Sequence, residues 1–158
     1  MKKILFMILM VMFQLPSFAS DNNYINFNQL PDTLQHFVKR CYGNMQIRKI
    51  KQTNSRYKIY FTNYDEITFS KTTLQWTDAE SLKGVPVPLL GTLPPKILEY
   101  LIEYHDGVAV VELERLSNNW YGLELTTGED VLFDSDGVFI QTNHGPGLND
   151  PNRNPNYP

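Results

Sequence analysis

Histidines are the residues most able to carry chemistry in this sequence, and there are three of them, His36, His105 and His144. Zinc sites and proton-transfer sites need such side chains at fixed spacings, for instance two histidines four residues apart on one helix. These three are far apart, and the sequence contains neither a nucleophile elbow nor a phosphate-binding loop. The spacing predicts no catalytic residues, no histidine metal site and no cofactor.

A group of carboxylates offers a second possibility. Glu99 and Glu103 are four residues apart, and Asp106 follows them. Paired carboxylates can exchange protons with a substrate. Charged residues at this spacing are, however, typical of the solvated side of a helix. We therefore expect no acid–base site here.

An Asp-Ser-Asp-Gly segment at residues 134–137 resembles the start of a calcium-binding loop. The complete loop has further oxygen ligands and a glutamate at its twelfth position, where this sequence has Gly145. A hairpin turn with glycine in the left-handed conformation is the favoured interpretation. Weak calcium binding by Asp134 and Asp136 is the alternative.

The single cysteine, Cys41, excludes an internal disulfide. It lies on the apolar side of a predicted helix. Because free cysteine is among the most buried residue types, we expect it to be a small core residue and not a reactive thiol.

Residues 1–19 have the three parts of a secretory signal: Lys2 and Lys3, an apolar run at residues 4–13, and small residues before a cleavage site after Ala19. The run is about half of the roughly 20 residues that a membrane span needs. The sequence therefore predicts a periplasmic or secreted protein that does not span the membrane. Its 14 basic and 17 acidic residues form no basic stripe, which argues against nucleic acid as a partner.

The segment from Leu93 to Ile140 predicts one helix, at residues 94–105, followed by four short strands. A weaker copy of this pattern covers residues 30–76, with its helix at residues 31–42. Residues 20–29 form a polar arm, and residues 77–92 form a linker whose Val-Pro pairs at residues 85–88 should be extended. Residues 141–158, rich in proline and asparagine, should be disordered.

The strand residues alternate with period two, which marks one buried side. The predicted buried set is Tyr57, Ile59, Phe61, Ile67, Phe69, Tyr121, Leu123, Leu125, Val131 and Phe133. The repeated order of one helix and four strands predicts an α+β fold of two tandem repeats, in which each repeat packs one helix on a four-stranded antiparallel sheet.

The second copy resembles the PepSY-like units of the β-lactamase-inhibitor-like family of exported bacterial proteins. The matching residues are Leu93, Pro94, Ile97, Tyr100, Ile102, residues 111–114, residues 121–125, Gly128, Glu129, Phe133, Asp134 and Gly137. The first copy departs from the pattern at Tyr64 and Thr73, where turn glycines are missing. The resemblance implies a helix-on-sheet envelope protein that binds or inhibits another protein. No matched motif implies inhibition of a β-lactamase.

Four large apolar residues fall on the predicted outer face of the sheet: Tyr60, Trp120, Leu132 and Phe139. Antiparallel sheets with one covered face usually carry polar residues there. Aromatic residues dominate the anchors of protein interfaces, so these four predict a partner-binding patch. Scattered exposed apolar residues, or contacts with the protein's own arm, are the alternative.

The sequence thus predicts an exported, non-enzymatic module that binds an envelope or extracellular protein or peptide through the open face of its sheet. The alternative is a small-ligand carrier or sensor in the cell envelope, with the ligand held between the sheet and the helices. An enzyme is the third hypothesis, and a deep polar cleft would favour it.

Overall fold

The structure is a computed structural model that describes residues 23–144. The signal-peptide prediction and the tail beyond residue 144 lie outside these residues. Nine strands form one antiparallel sheet in which each strand pairs with its neighbours in sequence. They are β1 (Asn23–Ile25), β2 (Ile47–Gln52), β3 (Arg56–Phe61), β4 (Glu66–Ser70), β5 (Trp76–Glu80), β6 (Val110–Arg115), β7 (Tyr121–Leu125), β8 (Glu129–Phe133) and β9 (Phe139–His144).

The predicted fold of two tandem repeats, each one helix on a four-stranded sheet, is wrong, because β5 and β6 pair and make a single nine-stranded sheet. Asp78 lies opposite Glu114, Ala79 opposite Leu113, and Glu80 opposite Glu112. Residues 77–80 fell in the predicted linker, and their only apolar residue is Ala79. Pairing across this seam satisfies backbone groups that two separate sheets would each have left at an edge.

The helices are α1 (Asp32–Tyr42), α2 (Val87–Leu90) and α3 (Pro95–Tyr104), with a 3-10 turn at Phe27–Gln29. The two long helices match their predicted bounds to within a residue at each end. In the Val-Pro segment, Pro86 is extended, with a ψ of 136°, and residues 87–90 are helical. Pro88 then lies in the first turn of α2, where its missing N–H costs no hydrogen bond, so the extended prediction is wrong for residues 87–88.

The core lies between the sheet and the long helices. Leu34 and Val38 of α1 and Ile97 of α3 belong to one buried cluster that contains the predicted inner strand residues, with Tyr57 packed at its border. Burying each large apolar side chain contributes about 1.5–3 kcal/mol. Cys41 is also in this cluster and 3% exposed, which confirms it as a core residue, and burial raises the pKa of its thiol.

Both ends of the described chain are more ordered in the structure than the sequence predicts. The arm contains β1, in which Tyr24 pairs with Lys51 of β2. At the other end β9 continues to residue 144, four residues into the predicted tail. No helix among residues 23–144 is long and apolar enough to cross a membrane.

Candidate functional site

The face of the sheet away from the helices, here called the open face, carries a line of five carboxylates that we call the carboxylate row. Its members occupy consecutive strands β4 to β8: Glu66, Glu80, Glu112, Glu124 and Asp130. Each lies directly opposite the next in the strand register, from Glu66 with Glu80 to Glu124 with Asp130. Directly opposed residues of an antiparallel pair have Cβ atoms about 4.5–5.5 Å apart. The sheet therefore holds five acidic side chains side by side.

Crowding and partial burial raise the pKa of the central carboxyls in this row. Burial and then the charge of Glu66 raise the pKa of Glu80 to about 7. Burial and then the charge of Glu80 raise the pKa of Glu112 to about 7. Burial also raises the pKa of Asp78, which lies two residues before Glu80 on β5. Glu80 and Glu112 therefore exchange protons near neutral pH, where ordinary carboxyls are fully ionised.

Three of the acidic groups lie close enough to share one cation. The ligand oxygens of Glu66, Asp78 and Glu80 lie within 4.8 Å of one another. Carboxylate oxygens are the ligands that Ca²⁺ and Mg²⁺ prefer. Lys58 already contacts Glu66, and its Nζ is 4.0 Å from Glu80 Oε1. A protein ammonium group thus already lies beside two of these three carboxylates.

At the β2–β3 side, the open face becomes basic and aromatic. The Tyr60 ring has the Lys49 ammonium 4.5 Å from its centroid and the Lys58 ammonium 5.5 Å away. Lys51 lies directly opposite Lys58 in the register. Burial alone lowers the pKa of Lys58, but hydrogen bonding to Glu66 and the nearby acidic charges together raise it. We call Lys49, Lys51, Lys58 and Tyr60 the cationic end.

A groove of about 640 Å³ lies between the cationic end and the acidic strands. Its polar lining includes Lys51, Arg56 and Lys58 on one side and Asp78, Glu80 and Glu114 on the other. Its volume is in the range of small-ligand sites. The open face therefore offers both signs of charge within one concave surface.

The structure does not bring the four predicted patch residues together. Tyr60 is half-buried on β3, while Trp120 is half-buried just before β7. Four strand spacings separate these strands, about 19 Å at 4.8 Å each, and the carboxylate row crosses the interval. Leu132 is only 4% exposed and is not part of the main core cluster, so it is buried on the open face.

Phe139 lies on the helix side, and its predicted position on the open face is wrong. Its ring stacks on Tyr100 of α3, with centroids 4.7 Å apart. A bulge is the reason: the pairing moves from Leu132–Gln141 to Phe133–Phe139 and skips Ile140. A slip of one residue moves side chains to the other face of a sheet.

Asp134 and Asp136 lie at the β8–β9 turn. One carboxylate oxygen of Asp134, Oδ1, accepts hydrogen bonds from the N–H groups of Asp136 (2.9 Å) and Val138 (2.8 Å). This local pattern is typical of an Asx turn. Asp134 thus has a structural role in the hairpin turn that the sequence favoured.

Sequence reasoning missed the carboxylate row, although its outward positions were partly visible. Glu124 and Asp130 alternate with the buried residues of β7 and β8. β5 was not recognised in the sequence. Because residues 77–80 were placed in the linker, Glu80 could not be placed beside Glu112. A row that crosses several strands depends on which strands are neighbours in the sheet. The spacing of apolar residues within one strand does not reveal those neighbours.

Comparison with known proteins identifies the family of this chain and solved structures that share its fold. A model of the putative beta-lactamase-inhibitor-like, PepSY-like family matches residues 18–75 and residues 55–141. No curated protein matches the sequence.

Several solved structures are similar. A putative periplasmic protein from Bacteroides vulgatus ATCC 8482 is 26% identical, with a TM-score of 0.68 over 79% of this chain and 98% of that chain. A putative calcium-regulated periplasmic protein from Bacteroides thetaiotaomicron is 23% identical, with the same TM-score and coverage. Another putative periplasmic protein from B. vulgatus is 22% identical, with a TM-score of 0.65 over 77% of this chain and 99% of that chain. The last two show a shared fold. Since the family model matches well over half of the sequence, the chain belongs to the putative beta-lactamase-inhibitor-like, PepSY-like family.

Proposed function

We propose that this protein is a non-enzymatic periplasmic binding protein whose open face binds a lysine- or arginine-bearing segment of another protein. The observation that carries the proposal is the carboxylate row, five acidic side chains opposed in register across five strands. The 26% identical relative, a putative periplasmic protein, supports the compartment. The inhibitor-like description of the family supports binding of a protein, without specifying any enzyme as the target.

The row favours a cationic partner for an energetic reason. Like charges directly opposite each other destabilise a sheet. Lys58, at one end of the row, contacts Glu66 and lies 4.0 Å from Glu80. A partner's ammonium or guanidinium groups would reduce the repulsion around Glu112 and Glu124, and would favour the ionised forms of Glu80 and Glu112. Binding should therefore release protons near neutral pH.

The aromatic residues at the two sides of the row extend the proposal. Tyr60 stands at the cationic end, in register with the row. Trp120 lies four strands away, about 19 Å across the sheet, and four residues before Glu124, about 13 Å along the strand. Both are half-buried and offer part of their surface. We place them as anchors at the two ends of the bound segment, with buried Leu132 supporting the far end. Phe139 has no part in this surface.

The test is a titration calorimetry experiment with a hexalysine peptide as the probe. The double variant Glu112→Gln/Glu124→Gln removes two charges from the row. We expect it to weaken binding about three- to tenfold, because each exposed charge pair contributes up to about 1 kcal/mol.

The matched control is Glu99→Gln/Glu103→Gln, which removes the same charge from exposed positions on α3. It should bind the peptide like the wild type. Equal weakening by both double variants would mean that only net charge matters, and no measurable binding by the wild type would also reject the proposal. Tyr60→Ala and Trp120→Ala, tested with a lysine peptide that contains aromatic residues at both ends, should each weaken binding further.

A further inference from the structure

A second surface, on the helix side of the sheet, has a different chemistry. A groove of about 550 Å³ lies between the linker, one side of α3 and the loop that enters β6. Its apolar lining includes Val85, Leu90, Leu98, Leu101, Val108 and Val110. We call it the linker groove. We propose that it binds a small amphipathic molecule, with an apolar chain along the groove and one hydroxyl or carboxyl group held by His105.

One continuous apolar surface of α3 serves both the core and the groove. Leu98, Leu101 and His105 follow the spacing i, i+3 and i+7 along α3 and its end, so they share a side. Ile97, one turn before Leu101, borders this side and is fully buried, and Leu101 is partly buried against the same core. The apolar surface of α3 therefore continues from the core to the groove.

The linker forms the opposite wall and is fixed to the sheet. The Ser81 N–H donates to the Val111 carbonyl and the Val85 N–H donates to the Val110 carbonyl, both at 2.8 Å. Pro86 then sets the start of α2. Two backbone hydrogen bonds thus fix the linker wall to the sheet, and the groove is present without a ligand. Pre-formed apolar grooves of this volume are typical small-molecule sites.

His105 supplies the polar element that selects the ligand. Its side chain is 10% exposed, and its Nδ1 is 3.7 Å from Glu129 Oε2. Its Nε2 is buried and has no hydrogen-bond partner among the described residues. A buried polar atom without a partner is costly. A ligand hydroxyl satisfies Nε2 in either protonation state of the ring, because it both donates and accepts, and a carboxylate satisfies Nε2 when that nitrogen carries a proton.

The rim explains why an amphipathic molecule fits better than a fully apolar one. Ile102 is 71% exposed and Val87 is 78% exposed at the groove, so a chain lying between them covers apolar surface. Lys83 and Asp106 also line the groove and leave its ends polar. This site lies on the other side of the sheet from the carboxylate row, and it does not depend on the function proposed there.

The experiment measures binding of decanol, decanoate and decane to the full-length protein by NMR, following backbone amides. We expect decanol or decanoate to shift the amides of Leu98, Ile102 and Val108, with affinity about fivefold above that of decane, the difference of one hydrogen bond. Shifts that cluster elsewhere, or equal affinity for all three compounds, would overturn the proposal.

The diagnostic variant is His105→Phe, which keeps a ring but removes both nitrogens. It should keep decane binding and lose the preference for decanol and decanoate. His36→Phe, a matched change at an exposed histidine of α1, should retain the preference. If His105→Phe kept the full preference, His105 would not select the ligand. If the variant failed to fold, the wild-type shifts and the three-compound ranking would still decide the outcome.

Discussion

Glu80 and Glu112 lie directly opposite each other on β5 and β6, where the two predicted repeats meet in one sheet. Each has a pKa of about 7, with partial burial as the first cause and, among the neighbouring charges, Glu66 the largest for Glu80 and Glu80 the largest for Glu112. The strand pairing that completes the fold is thus also the pairing that brings the acidic side chains together. Glu80 and Glu112 therefore affect both the stability of the sheet and the proposed binding surface.

The first prediction concerns pH. The folded-state pKa values of Glu80 and Glu112, about 7, lie above the ordinary value of 4.5. Between these pH values the folded protein holds more protons than the unfolded chain, so the free energy of unfolding should fall as the pH rises from about 4.5 to about 7. Glu112→Gln should raise the melting temperature at neutral pH and flatten this slope, as measured by circular dichroism.

A matched control for the pH experiment is Glu99→Gln, at an exposed carboxylate of α3 outside the row. It should keep the wild-type slope. Identical pH profiles for the wild type and Glu112→Gln would contradict the expected repulsion in the row.

The second prediction tests the continuous sheet. Leu113 is fully buried at the seam, opposite Ala79. Leu113→Ala should lower the free energy of unfolding by about 2–5 kcal/mol. Because one sheet and one core unite the two halves, tryptophan fluorescence and far-UV circular dichroism of the parent protein should report the same denaturation midpoint. Two separate midpoints in the parent protein would contradict a single cooperative unit.

The third prediction concerns the packing of the β8–β9 turn on α3. Gly137 has a φ of 77°, and a Cβ there would lie 2.7 Å from Pro94 Cβ. Gly137→Ala should therefore cost about 2–4 kcal/mol, from backbone strain and the clash with Pro94. Gly107 has a similar φ of 74° and open space around its Cβ position. Gly107→Ala should cost only about 1 kcal/mol, and equal losses in denaturant titrations would argue against the contact with Pro94.

The fourth prediction is a stabilising substitution. Tyr64 lies in the turn between β3 and β4 with a φ of 71°, and its side chain is 68% exposed. A non-glycine residue pays about 1–2 kcal/mol in this conformation, while glycine has a greater entropy to lose on folding. Tyr64→Gly should therefore raise the free energy of unfolding by about 0.5–1 kcal/mol. A decrease in chemical denaturation would show that the Tyr64 side chain makes a compensating contact.

The sequence correctly predicted the elements that depend on a local pattern of apolar residues. The apolar spacing located α1 and α3, and period-two alternation identified the inner residues of β3, β4, β7 and β8. It failed at β5, since Thr77, Asp78 and Glu80 surround a single small inward residue, Ala79, and give almost no apolar signal. This unrecognised strand is the one that pairs with β6 and joins the two predicted repeats in one sheet.

The candidate site was predictable only in part, because register is a property of pairs of strands. Phe139 shows this most directly: a bulge that skips Ile140 moves its ring onto Tyr100. Tyr60 and Trp120 could be assigned to strand faces, but their separation depends on how many strands lie between them. The carboxylate row could be recognised only once β5 was known to pair with β6, because that pairing places Glu80 opposite Glu112.

The strictly sequential order of the strands has a consequence for how the chain reaches its native state. Every strand pairs only with strands next to it in sequence, so most sheet contacts close short loops, and the longest connection between paired strands is the α2–α3 segment between β5 and β6. Contacts that are local in sequence favour fast folding. The hairpins on either side of the β5–β6 seam can form early and independently, which leaves closure of the seam as the entropically most expensive step.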